Sequence, residues 1–196
     1  MRSAPRNVGT LRIVSGSLRG SRIEVIDQDG LRPTSDRVRE TLFNWLAPMI
    51  RGARCLDLFA GTGALGIEAI SRGAAACCFI ERERRVMQQL EATLARLKID
   101  SASLVNADAL AWLEQAKVEQ PFDLVFLDPP FSGGLWNEAA TRLENNGWLT
   151  DDAWIHVEAP AGTDIVLPET WQRHRESTAG AVQFALYRRT RAIPLR

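Results

Sequence analysis

At 196 residues the chain is long enough for one domain with a sizeable core, and its 45% apolar and 24% charged content excludes a low-complexity or fibrous protein. The formal charge is zero, yet the signs are segregated: ten arginines face five acids in residues 1–54, eight bases face eighteen acids in 55–169, and six arginines face one acid in 170–196. Basic ends around an acidic middle suggest contact with a polyanion. No apolar stretch reaches the length of a membrane span, and the opening Met1-Arg2-Ser3-Ala4-Pro5-Arg6 lacks the apolar core of a signal peptide, so no membrane association and a cytoplasmic location are expected. Cys55, Cys77 and Cys78 have neither disulfide nor zinc-site spacing and read as small buried apolar residues, with no metal expected.

In chain order, residues 11–26 alternate around Gly16 and Gly20, with Leu11, Ile13 and Val14 before the turn and Ile23, Val25 and Ile26 after it, which predicts a β-hairpin. Arg19 and Arg22 lie in the turn region among small residues and suit an arm for an RNA backbone. Residues 1–30 are accordingly read as a basic hairpin extension and 31–196 as the main domain. Pro33 keeps Arg32 extended, Thr34 or Ser35 can cap a helix, and Asp36 favours its first turn. Val38, Leu42, Trp45, Leu46 and Met49 then share one helical face, leaving Thr34 and Arg37 on the polar side of the first turn to face a site.

Residues 54–59 read as a buried strand that runs into Gly61-Thr62-Gly63-Ala64-Leu65-Gly66, a G-x-G-x-x-G turn, and then a short helix ended by Gly73. The strand Ala76–Ile80 ends at Glu81, twenty residues after Gly61, where an acid accepts hydrogen bonds from ribose hydroxyls. That acid serves methyltransferases and NAD enzymes alike. A helix over about Arg84–Lys98 presents Val86, Leu90, Leu94 and Leu97, and a strand at Ser103–Asn106 leads to Asp108, which is an N-cap, a partner for an adenine amine, or both. Phe122–Leu127 is a near-continuous apolar run, as a central parallel strand requires, and delivers Asp128-Pro129-Pro130-Phe131 at its carboxyl end. A helix through Leu143, a strand Trp154–Glu158 and a hairpin around Ala179-Gly180 complete the chain, while His156 and His174 have no ligand or triad spacing and read as structural.

The strand-end motif is the most specific feature. An exocyclic base amine is a poor nucleophile because its lone pair is delocalised into the ring. An Asp128 carboxylate and a Pro129 carbonyl that accept its two hydrogens turn the lone pair outward, toward an electrophilic methyl group. Pro129 and Pro130 stiffen the strand end, and Phe131 offers a face on which a flipped base can stack. With Asp57, the glycine turn and Glu81 in order, the residues indicate an amine methyltransferase using S-adenosyl-L-methionine (SAM), acting on nucleic acid. Rivals at this point are an NAD(P)-dependent oxidoreductase, a DNA adenine or protein glutamine methyltransferase, and an RNA-binding module without catalysis.

Three stretches, residues 32–46, residues 57–66 and Asp128–Phe131, together resemble the bacterial ribosomal RNA small subunit methyltransferase D family, over nearly the whole chain. The resemblance implies an α/β class I SAM-dependent methyltransferase fold, Rossmann-like, with a mostly parallel seven-stranded sheet, an antiparallel C-terminal strand and a small N-terminal β-hairpin. It implies methylation of N2 of a guanine in 16S rRNA (guanine 966 in the family) within the 30S small ribosomal subunit, by a monomer. By motif, Asp57 and the turn Gly61-Thr62-Gly63 would hold the methionine part of SAM, Glu81 the ribose and Asp108 the adenine, with Phe59, Ala109, Thr34 and Arg37 also at the cofactor. Asp128, Pro129 and Phe131 would hold the target guanine, with Pro130 completing the catalytic motif.

Overall fold

The computed structural model describes residues 9–25 and 36–190. The expected helix cap at Thr34 or Ser35 and the extended Arg32-Pro33 pair lie outside these residues. The N-terminal alternation does form a hairpin: β1 (Gly9–Arg12) and β2 (Arg22–Val25) pair antiparallel with Leu11 opposite Ile23. Helix α1 (Asp36–Leu46) follows and buries Val38, Leu42, Phe43 and Leu46 at 3.6-residue spacing. Then strands and helices alternate: β3 (Arg54–Asp57), α2 (Ala64–Ser71), β4 (Ala76–Ile80), α3 (Arg84–Leu97), β5 (Ala102–Val105), α4 (Ala109–Gln115), β6 (Phe122–Leu127), α5 (Trp136–Asn145) and β7 (Leu149–Pro160), before the antiparallel pair β8 (Trp171–Ala179) and β9 (Val182–Arg189).

Alternation of this kind makes parallel neighbours, because each helix returns the chain to the same edge. The seven strands lie in the order β5-β4-β3-β6-β7-β9-β8, parallel from β5 to β7, with β9 running against both β7 and β8. Residues of α1, α2 and α3 cover one face through Leu42, Phe43, Ile67 and Leu90, and α4 and α5 cover the other through Leu113, Ala139 and Leu143. β7 is longer than the Trp154–Glu158 core legible from its apolar residues. Its first half carries Asp151 and Asp152, polar residues that face out, and Asp152 is held by a bidentate pair with Arg188 at 2.6 and 2.8 Å.

The hairpin is welded to this body. Ile13 and Ile23 are fully buried in the same cluster as Leu42 and Ile67. Its loop closes on α2, where the buried Glu68 carboxylate accepts the N–H groups of Val14 (2.8 Å) and Ser15 (3.0 Å) together with Arg72 Nε (2.8 Å). Ser71 adds four contacts: its carbonyl accepts the Ser17 N–H and hydroxyl, and its own hydroxyl accepts Leu18 N–H and donates to the Ser15 carbonyl. Gly16 has φ +87°, and a Cβ there would sit 1.9 Å from the Ser71 carbonyl oxygen, so only glycine permits this approach. The third member is Arg39 of α1, fully buried, which donates to the Arg12 carbonyl at 2.8 Å, pairs with Asp36 and faces Glu68 at 3.9 Å. Removing one partner of a buried charge pair typically costs about 3–5 kcal/mol. Glu68→Ala is expected to lower the unfolding free energy by that amount in chemical denaturation, and a loss under about 1 kcal/mol, the scale of surface pairs, would show that the clasp contributes little.

Candidate active site

Ligands in open α/β sheets bind beyond the carboxyl ends of the strands, where the strand order reverses. Here the chain winds from β3 outward to β5, returns to β6 on the other side of β3, and continues to β7. The reversal therefore falls between β3 and β6, and the glycine turn and Asp128–Phe131 follow these two strands.

The turn is built from below. Asp57, the last residue of β3, is buried, and its Oδ2 accepts Gly66 N–H at 3.0 Å, pinning the first turn of α2. Gly66 lies so close to the sheet that a Cβ would meet the Phe79 ring at 2.3 Å and Cys77 Sγ at 2.7 Å. Gly63, at φ +75°, is the N-cap of α2, and Gly63 N–H donates to the Ala60 carbonyl at 2.7 Å. Glu81, half-buried at the end of β4, accepts Gly61 N–H at 3.0 Å and Glu83 N–H at 2.7 Å, one on each oxygen, so lone pairs remain for ligand hydroxyls. Phe59 and Thr62 are half-buried, and Gly61 and Thr62 line a narrow crevice with Glu24 of the hairpin and Gln89 and Thr93 of α3. Asp108 caps α4 by accepting Ala111 N–H at 3.0 Å, and Ala109 is buried behind it. The expected cap is thus observed, with the outer side of this exposed carboxylate facing solvent. Arg37 is exposed on the first turn of α1, and Thr34 lies outside the described residues.

At the end of β6, Asp128 is half-buried, Pro129 buried and Pro130 exposed, and Phe131 opens a single 3-10 turn. Phe131 is 39% exposed and, with Val166, one of two large apolar side chains exposed among the described residues. An aromatic ring held out beyond the strand ends has a face free to stack on a planar group. Trp136 backs it with ring centroids 6.2 Å apart, and Trp136 Nε1 donates to the Glu158 carbonyl at 2.8 Å.

Arg19 and Arg22 are exposed, as the hairpin reading expected, but they do not join this group. The hairpin loop is fixed to Ser71 at the last turn of α2, and the Arg22 carbonyl is held by Arg96 in the last turn of α3. These helices start at the ligand edge, and α3 spans about 20 Å, so the two arginines sit toward the opposite end of the domain. The C-terminal arginines are partly committed elsewhere: Arg189 forms a bidentate pair with Glu144 at 2.9 Å, and Arg188 holds Asp152. Arg39, Glu68 and Glu158 carry no signal in apolar periodicity alone. The one hint for Glu68 is a single charge in an otherwise uncharged, mostly apolar eight-residue helix, which marks a buried, paired group.

Among the described residues no group of three or more His, Cys, Asp or Glu is placed to hold a metal ion. The pinned glycine turn, the acid above it and the half-buried carboxylate of Asp128 fit SAM and an amine acceptor. Fold and site define a class I SAM-dependent methyltransferase.

The chain matches the family described as "Conserved hypothetical protein 95" over residues 11–188. It is 51% identical to the ribosomal RNA small subunit methyltransferase D of Escherichia coli, over 92% of this chain and 91% of that protein, and 44% identical to that of Haemophilus influenzae, over 93% and 96%. A solved structure from Escherichia coli superposes with a TM-score of 0.85 at 48% identity, covering 94% of this chain and 100% of that one. An RNA methyltransferase from Salinibacter ruber, solved in complex with S-adenosyl-L-homocysteine, shares the fold with a TM-score of 0.64 at 16% identity, over 83% and 97%. The chain belongs to the ribosomal RNA small subunit methyltransferase D family.

Asp57 gives the site a pH signature. Burial pushes its carboxyl up to about 7 from an ordinary 3.8, with the Gly66 N–H opposing and nearby Glu81 adding to the rise. The folded state therefore holds this proton where the unfolded chain has released it, so its contribution to stability is full below about pH 4, falls as pH rises, and is gone above about pH 7. Paired thermal melts of wild type and Asp57→Asn should show the wild type losing ground to the variant across that window. A difference independent of pH would contradict the assignment.

Proposed function

We propose that this protein methylates the exocyclic N2 of a guanine in 16S rRNA within the 30S small ribosomal subunit, acting as a monomer in the cytoplasm. The observation that carries this is the arrival of Asp128-Pro129-Pro130-Phe131 at the strand-order reversal, beside the glycine turn, in a chain of this family. Among the described residues no helix is long and apolar enough to cross a membrane. When bound, SAM supplies a methyl group on a positively charged sulfur. Asp57 and the 61–63 turn hold its methionine end, Glu81 accepts from its ribose hydroxyls, and the outer side of Asp108 with Ala109 meets its adenine.

Phe131 stacks the flipped base, and Asp128 with the Pro129 carbonyl accepts the two N2 hydrogens, which aims the nitrogen lone pair away from the ring plane. Asp128 also places negative charge where positive charge would grow on the nitrogen. The exposed faces of Arg19 and Arg22 add sequence-independent contacts to rRNA phosphates well away from the target base. The hairpin acts as the family's N-terminal extension while remaining part of the packed body.

Calorimetry should give binding heat with SAM and with S-adenosyl-L-homocysteine and none with NAD; heat from NAD alone would overturn the cofactor assignment. In single-turnover methylation of small subunits at saturating SAM, Asp128→Asn should retain partial activity, because an amide oxygen still accepts a hydrogen bond. Asp128→Ala should lose roughly two to three orders of magnitude, the scale of deleting one transition-state hydrogen-bonding group. Wild-type rates in the Ala variant would remove Asp128 from the chemistry.

A further inference from the structure

The segment after β4 carries a basic group that the mechanism above does not use. Residues 82–85 set Arg82, Arg84 and Arg85 against the single carboxylate of Glu83, and all four residues are exposed. Among the described residues none of these guanidiniums has a hydrogen-bond or ion-pair partner, whereas Arg39, Arg72, Arg142, Arg188 and Arg189 are all held by carboxylates. The local structure does not favour cations here. Arg84 and Arg85 open α3, whose N-cap residue Glu83 makes no side-chain cap and whose first turn holds no acid. The helix dipole concentrates positive potential at that end, so carboxylates are preferred there and cations are disfavoured. A helix start that breaks both rules, with no compensating partner inside the fold, marks a functional surface.

The winding fixes which way the group faces. Arg51 precedes β3 and Arg54 begins it, Lys98 and Lys117 follow α3 and α4, and Arg188 and Arg189 end the antiparallel β9, so these six stand at the edge where the parallel strands begin. Arg82, Arg84 and Arg85 stand at the other edge, where β4 ends and Asp128–Phe131 leaves β6. Only β3 separates β4 from β6, so at the ordinary spacing of neighbouring strands the two strand ends are about 10 Å apart.

Resting on the reading that this chain methylates an rRNA base seated at Phe131, we propose that Arg82, Arg84 and Arg85 form the docking surface for the backbone phosphates beside that base. A guanidinium forks onto a phosphate through two N–H groups, and a row of them takes successive phosphates without reading sequence. A nucleotide strand suits the group because it brings a repeating negative charge to cations spread over a loop and a helix turn. Arg19 and Arg22 meet phosphates toward the far end of the domain; these three act next to the site.

The test titrates assembled small subunits with the full-length protein between about 50 and 200 mM salt and compares two triple variants. Arg82→Gln, Arg84→Gln and Arg85→Gln together should make the log–log salt slope shallower by about three, one per lost phosphate contact, and weaken binding at the lower salt by about tenfold or more. Arg51→Gln, Lys98→Gln and Lys117→Gln together, at the opposite edge, should change the slope by less than about one. The first variant should melt no lower than the wild type, since it removes cations from the positive end of α3. Calorimetry should give both variants the wild-type affinity for SAM. An unchanged salt slope in the first variant overturns the proposal. So does an equal loss in both variants, which marks a general effect of charge, or a loss confined to SAM affinity, which assigns the arginines to the cofactor. Failure of the underlying reading looks different and shows in the wild type: small subunits bound with the arginine-dependent slope, yet no methyl group transferred to 16S rRNA, keeps the docking surface and removes the reaction.

Discussion

The reversal of strand order between β3 and β6 is the constraint on which the site depends. A parallel sheet that winds outward on one side of β3 and then on the other must leave a gap above the two central strands, because their following segments diverge to opposite faces of the sheet. Into that gap the chain delivers a turn whose glycines allow contact at van der Waals limits, and a strand end stiffened by two prolines. Neither stretch would make a site alone. The geometry that joins them is a property of the winding, and the residues exploit it.

The turn is rigid because it is held at both ends. Below, Asp57 fastens the first turn of α2 through Gly66; above, Glu81 fastens Gly61. Farther along α2, Glu68 and Ser71 hold the hairpin loop, so one eight-residue helix links the glycine turn to the N-terminal ribbon. The buried Glu68 and Arg39 each meet partners from distant segments of the chain, Glu68 accepting from Val14 and Ser15 and Arg39 donating to the Arg12 carbonyl. That pattern is consistent with groups retained for placement of backbone more than for net stability.

Much of this was legible in the sequence. The alternation of apolar runs with helical patterns determined the winding, and the glycine spacing, Glu81 and the Asp-Pro-Pro-Phe motif marked the carboxyl edge of the sheet, because each of these is a local signal. The long first half of β7 was hidden by Asp151 and Asp152, polar residues on an outward-facing strand. Arg39 and Glu68 were hidden for a different reason. Val14 meets Glu68 across 54 positions of sequence and Arg39 meets Arg12 across 27, and no periodicity within a helix reports such partners. The basic ends were visible as composition, but composition counts Arg188 and Arg189 among free cations when both are held by carboxylates of the acidic middle.

The clasp also bears on modularity. An N-terminal ribbon of this kind looks transferable, since it is short, contiguous and precedes the main sheet. Yet it borrows two side chains from α2 for its loop and one from α1 for the end of β1, and it shares its two buried isoleucines with their core. Grafted onto a relative lacking an acid at the position of Glu68, a hydroxyl at Ser71 and a guanidinium at Arg39, it would arrive with unpaired amides and nowhere to seat. The unit that can be exchanged between homologues is therefore the ribbon together with its three receptors. Recombination breakpoints placed between residues 9 and 72 should yield misassembled chimaeras wherever the two parents differ at these contacts.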